Sequence, residues 1–168
     1  SASNGRSCRR SRGDARRFVL ADSTPRHPSP MREAPMQAIA DLETLLARMQ
    51  PVLNPGRFAF VALPSGGMLD PALVVASIRE PEGLSVICTQ HVARDMDLPI
   101  AFIASWITLA VHSDLAAVGL TAAFSSALAR AGVSCNVLAG VHHDHLFVPV
   151  EQTLQAMEVL HGLSRPPG

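Results

Sequence analysis

The sequence predicts an α+β fold in which helices cover one face of an antiparallel sheet. Of its 168 residues, 48% are hydrophobic and 17% are charged, a composition typical of a globular chain that buries a core. Short apolar runs of strand length are interspersed with segments in which apolar residues recur every three or four positions, the period of a helix. Glycine and proline separate most of these segments, as expected at turns between elements.

Residues 36–98 are predicted to form a helix, three strands and a further helical turn. Proline does not continue a helix, so Pro51 marks the end of the first helical pattern. A short Pro-Glu-Gly connection, with Gly83 in a left-handed conformation, predicts a β-hairpin. The predicted elements are a helix over about 37–49, a strand over 57–63, paired strands over 70–80 and 83–90, and a helical turn within 91–98.

Residues 99–163 show a more regular pattern. A β-branched and aromatic run ends at His112, and the apolar stripe of the next helix ends at Gly132, where a left-handed C-terminal cap is expected. The last helix is predicted to bury a stripe made of Leu154, Met157, Leu160 and Leu163. The predicted elements are a strand over 101–111, a helix over 115–131, strands over 133–140 and 143–150, and a helix over 150–163.

The order of these elements matches most of the ferredoxin-like βαββαβ arrangement, an antiparallel sheet with both helices on one face. One strand of that arrangement is missing from the second half, and the first half lacks a strong second helix. We therefore expect two similar halves, residues 36–98 and 99–163, that share one antiparallel sheet. Residues 1–35, rich in Arg, Ser and Pro, are expected to be a disordered extension, and residues 164–168 a short tail.

Charge and cysteine content argue against several classes of function. Residues 1–35 hold eight of the fourteen basic residues, so the remainder carries six Arg against eleven acidic residues. Nucleic-acid binding needs clustered positive charge, so no nucleic-acid partner is expected. Apolar runs such as 99–111 are shorter than the roughly 20 residues of a membrane span, so no membrane partner is expected. The three cysteines fit neither a disulfide framework nor a CxxC metal pair, which favours a reducing, cytoplasmic location.

Three segments carry a resemblance to a known family: REPEGLSVI at 79–87, WITLAVHSDLAAVGLTAAFSSALARAGVSCNVLAG at 106–140, and VHHDHLFVP at 141–149. Through them the chain resembles the small bacterial tandem ACT-domain proteins, formerly described as a domain of unknown function, over residues 36–163. The resemblance implies an ACT-type fold and a regulatory module that senses a small molecule, commonly an amino acid, at an interface between paired modules. It also implies a homodimer, with neither catalysis nor a cofactor.

The turn between the predicted strand 101–111 and helix 115–131 is the main candidate binding site. A helix N-terminus offers free N–H groups and a positive dipole end to a carboxylate, and Asp114 is suited to hold an ammonium group, so together they suit an amino acid. Gly119 permits close approach of a ligand, and Thr121 adds a hydroxyl group. The resemblance to ACT domains implies ligand contacts at the matching positions His112, Ser113, Asp114, Gly119, Leu120, Cys135 and Asn136.

Structural roles compete with ligand binding at two of these positions. Asp114, before a helix, is also a common N-cap residue, whose carboxylate accepts hydrogen bonds from the first turn. Asn136 is expected on an adjacent strand facing the turn, where it contacts the ligand or makes a structural hydrogen bond in the sheet.

A histidine cluster follows at His142, His143 and His145, with Asp144 among them. Imidazole and carboxylate groups are ligands for zinc and other transition metals. On an extended strand, neighbouring side chains point to opposite faces, so three of these groups do not converge on one ion. Three alternatives stay open: metal binding, contact of His142 and His143 with a polar ligand or an interface, and a solvated or sheet-capping role. We expect no resident metal.

Two further side chains have structural explanations. Cys135 with a nearby histidine is the best nucleophilic pair in the sequence, but it lies in an apolar alternation typical of a core cysteine. Trp106 is expected in the core or at an interface. The main prediction is therefore a non-catalytic regulatory module that binds an amino acid. The alternatives are an assembly module without a ligand and a metal-dependent enzyme that uses residues 142–145.

Overall fold

The structure, a computed structural model, describes residues 41–64, 66–111 and 117–164. The expected N-terminal extension, the start of the predicted first helix and most of the tail lie outside these ranges. In chain order the described elements are α1 (Leu42–Arg48), β1 (Pro51–Leu53), β2 (Phe58–Leu63), β3 (Val74–Glu80), β4 (Gly83–Thr89), α2 (Gln90–Asp95), β5 (Ile100–Leu109), α3 (Leu120–Arg130), β6 (Asn136–Ala139), β7 (Asp144–Pro149) and α4 (Thr153–Leu163).

The strands form one antiparallel sheet with the order β3-β4-β2-β5-β7-β6, and β1 pairs with β5. β5 is the central strand. One of its edges pairs with β2 through Phe58 opposite Ala104, and then with β1 through Pro51 opposite Leu109. Its other edge pairs with β7. Strands from both halves of the chain therefore share a single sheet, which confirms the predicted fold class.

β1 was not predicted, because the sequence pattern treats Pro51 only as the end of a helix. Its three residues are too few to show an alternating pattern, and the pairing with β5 alone defines them as a strand. The ladder continues beyond β1, where the Asn54 N–H donates to the Trp106 carbonyl at 2.8 Å. β1 and β2 thus act as one interrupted strand along the edge of β5.

The hairpin of β3 and β4 has the connection that the sequence predicts. Gly83 opens β4 with φ +150, a conformation that side chains with a Cβ rarely adopt. β3 begins only at Val74, because residues Pro71–Leu73 form a 3₁₀ turn. The carboxylate of Asp70 caps this turn by accepting a hydrogen bond from the Ala72 N–H at 2.9 Å.

α3 begins at Leu120, whereas the sequence predicts a start at residue 115. Ala117 and Val118 are not helical, and Gly119 has φ +103 as the residue before the helix. A left-handed residue does not continue a right-handed helix, so Gly119 sets the start. At the other end, Gly132 has φ +73 directly after the C-cap residue, which confirms the predicted left-handed cap.

α4 buries most of the stripe that the sequence predicts. Leu160 is fully buried together with Ala156, and Met157 and Leu163 pack partly buried against the core, whereas Leu154 is 79% exposed. Three residues of a helix fall about 60° short of a full turn. Leu154 and Leu160 are six residues apart, so their side chains lie about 120° apart around the helix axis. A stripe built only from three-residue steps therefore drifts off the buried face.

Helices cover one face of the sheet, as predicted. On this helix side, α1, α3 and α4 pack against β5 and β7, and α2 packs against β2 and β4. The opposite face carries an aromatic cluster that includes Phe58, Phe60, Phe102, Trp106 and Phe147. Within the described ranges, no helix is both long enough and apolar enough to cross a membrane.

Candidate functional site

The connection from β5 to α3 is the region that the sequence singles out. His112, Ser113 and Asp114 lie outside the described residues. Gly119 has no side chain to cap the first amide groups of α3. A Cβ on Gly119 would lie 3.0 Å from a methyl carbon of Leu42 in α1. Glycine is therefore needed here both for the backbone conformation and for the packing of α1 against the start of α3.

The two predicted ligand residues after Gly119 differ in exposure. Leu120 is buried in the helix-side core, whereas Thr121 is exposed in the first turn of α3. The side chain of Leu120 thus serves packing. Among the described residues of this turn, the Thr121 hydroxyl and the first-turn N–H groups of α3 are polar groups that a ligand could contact.

The direction of α3 places its start at one end of the sheet. Its C-terminal carbonyl oxygens accept side-chain hydrogen bonds, from Gln152 to Gly132 at 3.0 Å and from Gln155 to Ala131 at 2.8 Å. These two glutamines follow the C-terminal end of β7. The first turn of α3 therefore lies towards the other end, where β7 begins.

The β6–β7 connection brings His143 to that same end. The Gly140 N–H donates to the His143 carbonyl at 2.9 Å, which closes the turn. Nδ1 of His143 lies 3.3 Å from the carbonyl oxygen of Val111, directly before the predicted ligand residue His112. The rings of His142 and His143 are 6.4 Å apart between centroids. Both histidines are thus close to the exit of β5.

Asp144 opens β7 opposite Leu109, the last residue of β5. Leu146 and Val148 pack into the helix-side core, and because side chains alternate along a strand, Asp144 projects to the same side. Burial raises the pKa of the Asp144 carboxyl group, and the electrostatic effects of His145 and His143 offset this only in part. A half-buried carboxylate of this kind is stabilised when a positively charged group binds beside it.

Cys135 and Asn136 do not reach this end of the sheet. β7 lies between β6 and β5, so Asn136 is not on a strand adjacent to β5, and that expectation is wrong. Asn136 pairs with Phe147, whereas Asp144 pairs with Ala139. The two pairs are three residues apart along the strands, which is a distance of about 10 Å. Cys135 packs at the edge of the helix-side core. Burial raises the pKa of its thiol, which disfavours the thiolate that a nucleophile requires.

Comparison with known proteins identifies the family. Two models described as ACT domain match this chain, one over residues 37–105 and the other over residues 102–162. A Vibrio cholerae protein of unknown function, described as a possible transport protein, is 41% identical, with a TM-score of 0.66. The match covers 74% of this chain and 96% of that protein. The chain belongs to the tandem ACT-domain family. ACT domains are typically regulatory modules that bind small-molecule ligands.

More distant structures resemble this tandem ACT protein in fold alone. An Agrobacterium tumefaciens protein is 17% identical, with a TM-score of 0.54, over 70% of this chain and 90% of its own. The ligand-free regulatory subunit of aspartate kinase from Thermus thermophilus is 11% identical, with a TM-score of 0.49, over 69% of this chain and 98% of its own. That last likeness is too weak to support any functional inference. A comparison with curated proteins found no match.

The two ACT matches overlap at residues 102–105, within β5. This overlap agrees with the sheet, in which β5 pairs with β2 from the first half and with β7 from the second. Each ACT half of the chain therefore depends on the same central strand.

Two placements in this ACT protein do not follow from the sequence pattern. The first is Asp144, whose position beside the end of β5 depends on a strand register that the sequence does not show. The second is the group around Trp106 and His145 on the sheet face without helices. Within the described ranges, no three His, Cys, Asp or Glu side chains are placed to hold a metal ion. His145 and Asp144 project to opposite faces, as the strand alternation predicts.

Proposed function

We propose that this tandem ACT protein is a regulatory module, without catalysis, that binds an amino acid at the β5–α3 turn. The observation that carries the proposal is that a hydrogen-bond donor group and a carboxylate lie at the same end of the sheet. The first turn of α3 has no side-chain cap, and the half-buried carboxylate of Asp144 projects to the same side of the sheet.

An amino acid carries one charge that complements each of these groups. Its carboxylate accepts hydrogen bonds from the first-turn N–H groups of α3, where the helix dipole also favours a negative charge. Its ammonium group pairs with Asp144, and Asp114 is a second candidate for this role. Thr121 and His143 supply further polar contacts around the ligand.

The regulated state is proposed to be a homodimer. Large apolar side chains are exposed at Val52 and Leu53 of β1. Exposed apolar surface favours association between proteins. A ligand shifts such an equilibrium only through its different affinity for the two states. We place the protein in the cytoplasm, where thiols such as Cys88 and Cys135 stay reduced.

Calorimetric titration of the full chain with each of the twenty amino acids tests the proposal. At least one is expected to bind with saturation at millimolar concentration or below. Asp144→Asn keeps the shape of the side chain and removes its charge, so the affinity should fall by about tenfold or more, the value of a hydrogen bond to a charged group. Asp95→Asn is the control, because Asp95 is exposed on α2 beside His91. Its affinity should be unchanged.

Two results would contradict this function. One is the absence of binding for all twenty amino acids at millimolar concentration. The other is an Asp144→Asn variant that folds and keeps its full affinity. A stable dimer that ignores every amino acid would support the alternative, an assembly module without a ligand. In that case Asp144→Asn and Asp114→Ala would change only the free energy of unfolding.

A further inference from the structure

The sheet face without helices contains a second cleft, separate from the β5–α3 turn. Its volume is about 600 Å³, within the range of small-molecule sites. Ile78 on β3 and Leu138 on β6 both line it, although these strands are at opposite ends of the strand order. The sheet therefore curls until its two edges face the same space. We call this space the aromatic cleft, because Trp106 and Phe147 form part of its wall.

The aromatic rings of the wall pack against one another. The rings of Trp106 and Phe147 stack with an interplanar angle of 15° and centroids 6.0 Å apart. Phe58 packs edge-on against Trp106 at a centroid distance of 5.2 Å. Flat aromatic faces held in this way offer a surface on which a planar apolar molecule stacks.

One polar side chain, His145, is held in a defined orientation at the cleft. The indole Nε1–H of Trp106 donates to Nδ1 of His145 at 3.1 Å. Indole nitrogen only donates, so Nδ1 accepts and the imidazole hydrogen lies on Nε2. Thr108 adds a second contact, with its hydroxyl oxygen 3.1 Å from Nδ1. That hydroxyl accepts a hydrogen bond from the Asn54 amide at 2.9 Å.

Gly140 keeps the other side of the imidazole open. A Cβ at this position would lie 3.1 Å from Nε2 of His145, which is closer than nine in ten real Cβ contacts. Burial lowers the pKa of His145, and the charge on His143 lowers it further, while Asp144 raises it. The lowered pKa favours the neutral imidazole, and with Nδ1 accepting from Trp106 its N–H donor lies on Nε2.

No Asp, Glu, Lys or Arg side chain is among the described residues that line the aromatic cleft. A charged ligand would therefore lose its hydration without gaining an ionic partner. A neutral acceptor such as a carbonyl oxygen needs only the single donor that His145 offers. We propose that the aromatic cleft binds an uncharged, planar aromatic molecule whose carbonyl oxygen accepts a hydrogen bond from Nε2 of His145.

Fluorescence titration of the full chain with benzamide tests this site. Benzamide is uncharged and planar and carries a carbonyl acceptor. Trp106 is the single tryptophan of the chain, which has no tyrosine, so its emission reports the cleft directly. A saturable change is expected in the millimolar range. Benzylamine, a cation without an acceptor, should give no saturable change, and benzoate should bind more weakly than benzamide.

Two variants test the contacts. His145→Phe keeps a ring and removes the donor, and it should weaken benzamide binding by about fivefold, the value of one hydrogen bond. Ala76→Phe, at a position that lines the cleft and packs against the aromatic cluster on the same face, should weaken it further by filling the space, and it serves if His145→Phe fails to fold. The matched control is His91→Phe on α2, where the side chain is 82% exposed. This control should bind benzamide like the parent protein.

Three outcomes would overturn the proposal. The first is the absence of a saturable response to benzamide in the parent protein. The second is unchanged affinity in folded His145→Phe and Ala76→Phe variants, or benzoate binding as tightly as benzamide. The third is a dimer that Ala76→Phe converts to a monomer while neither form responds to benzamide, because a second copy of the chain would then cover the cleft. All of these results are independent of amino-acid binding at the β5–α3 turn on the other side of the sheet.

Discussion

The buried face of α4 can be tested with two leucine substitutions on the same helix. Leu160 is fully buried among the helix-side residues, and Leu154 is 79% exposed. Leu→Ala at a fully buried position costs about 2 to 5 kcal/mol, because apolar contacts are lost and a cavity forms. We expect Leu160→Ala to lower the free energy of unfolding by about 3 kcal/mol. Leu154→Ala should change it by less than about 0.5 kcal/mol, as is usual at exposed sites.

Urea denaturation followed by far-UV circular dichroism gives both values. With a slope of about 2 kcal/mol per molar urea, a loss of 3 kcal/mol moves the midpoint by about 1.5 M, whereas Leu154→Ala should move it by less than about 0.3 M. The two variants are matched in chemistry and in helix propensity, so their difference reports burial alone. Equal losses at both positions would refute the packing of α4 and restore the stripe that the sequence pattern predicts.

Three further predictions concern backbone conformation and pH. Gly132→Ala places a Cβ where nothing lies within 4 Å, so only its left-handed backbone conformation should cost stability, about 1 to 2 kcal/mol in the same urea titration. Gly119→Ala should cost more than Gly132→Ala, because its Cβ would also crowd Leu42 at 3.0 Å. For the titration of His145, the folded-state pKa is lowered from 6.5, so its contribution to stability is complete above pH 6.5 and is lost as the pH falls through the lowered pKa. The difference in unfolding free energy between the parent protein and His145→Phe should therefore shrink as the pH falls below 6.5. Asp144, whose pKa is raised, acts in the opposite direction. A difference that does not vary with pH would contradict the burial of His145.

Much of the fold was predictable because its signals are local. The apolar pattern and Gly132 predict the end of α3, and Gly83 predicts the β3–β4 hairpin. These signals act over a few residues, since periodicity and glycine conformations depend on near neighbours. β1 escaped prediction because its three residues form a strand only through pairing with β5, more than fifty positions away along the chain.

The candidate site was predictable only in part for a related reason. The sequence singles out the β5–α3 turn and the histidine cluster, and the structure brings His143 within 3.3 Å of Val111 at the end of β5. The sequence pattern places Asn136 there too, which requires β6 to be adjacent to β5. Strand order decides this, and β7 lies between them.

The sequence by itself determined that this chain is an α+β protein of the tandem ACT type, because periodicity, turn residues and family-specific segments are local features of the residue order. The tertiary structure alone decided which polar groups meet. The register of β7 on β5 places Asp144 at the end of the sheet where α3 begins, and it places His145 beside Trp106 on the opposite face. The physical reason is that register and sheet curvature come from pairing between distant segments, and a shift of one residue would exchange the two faces.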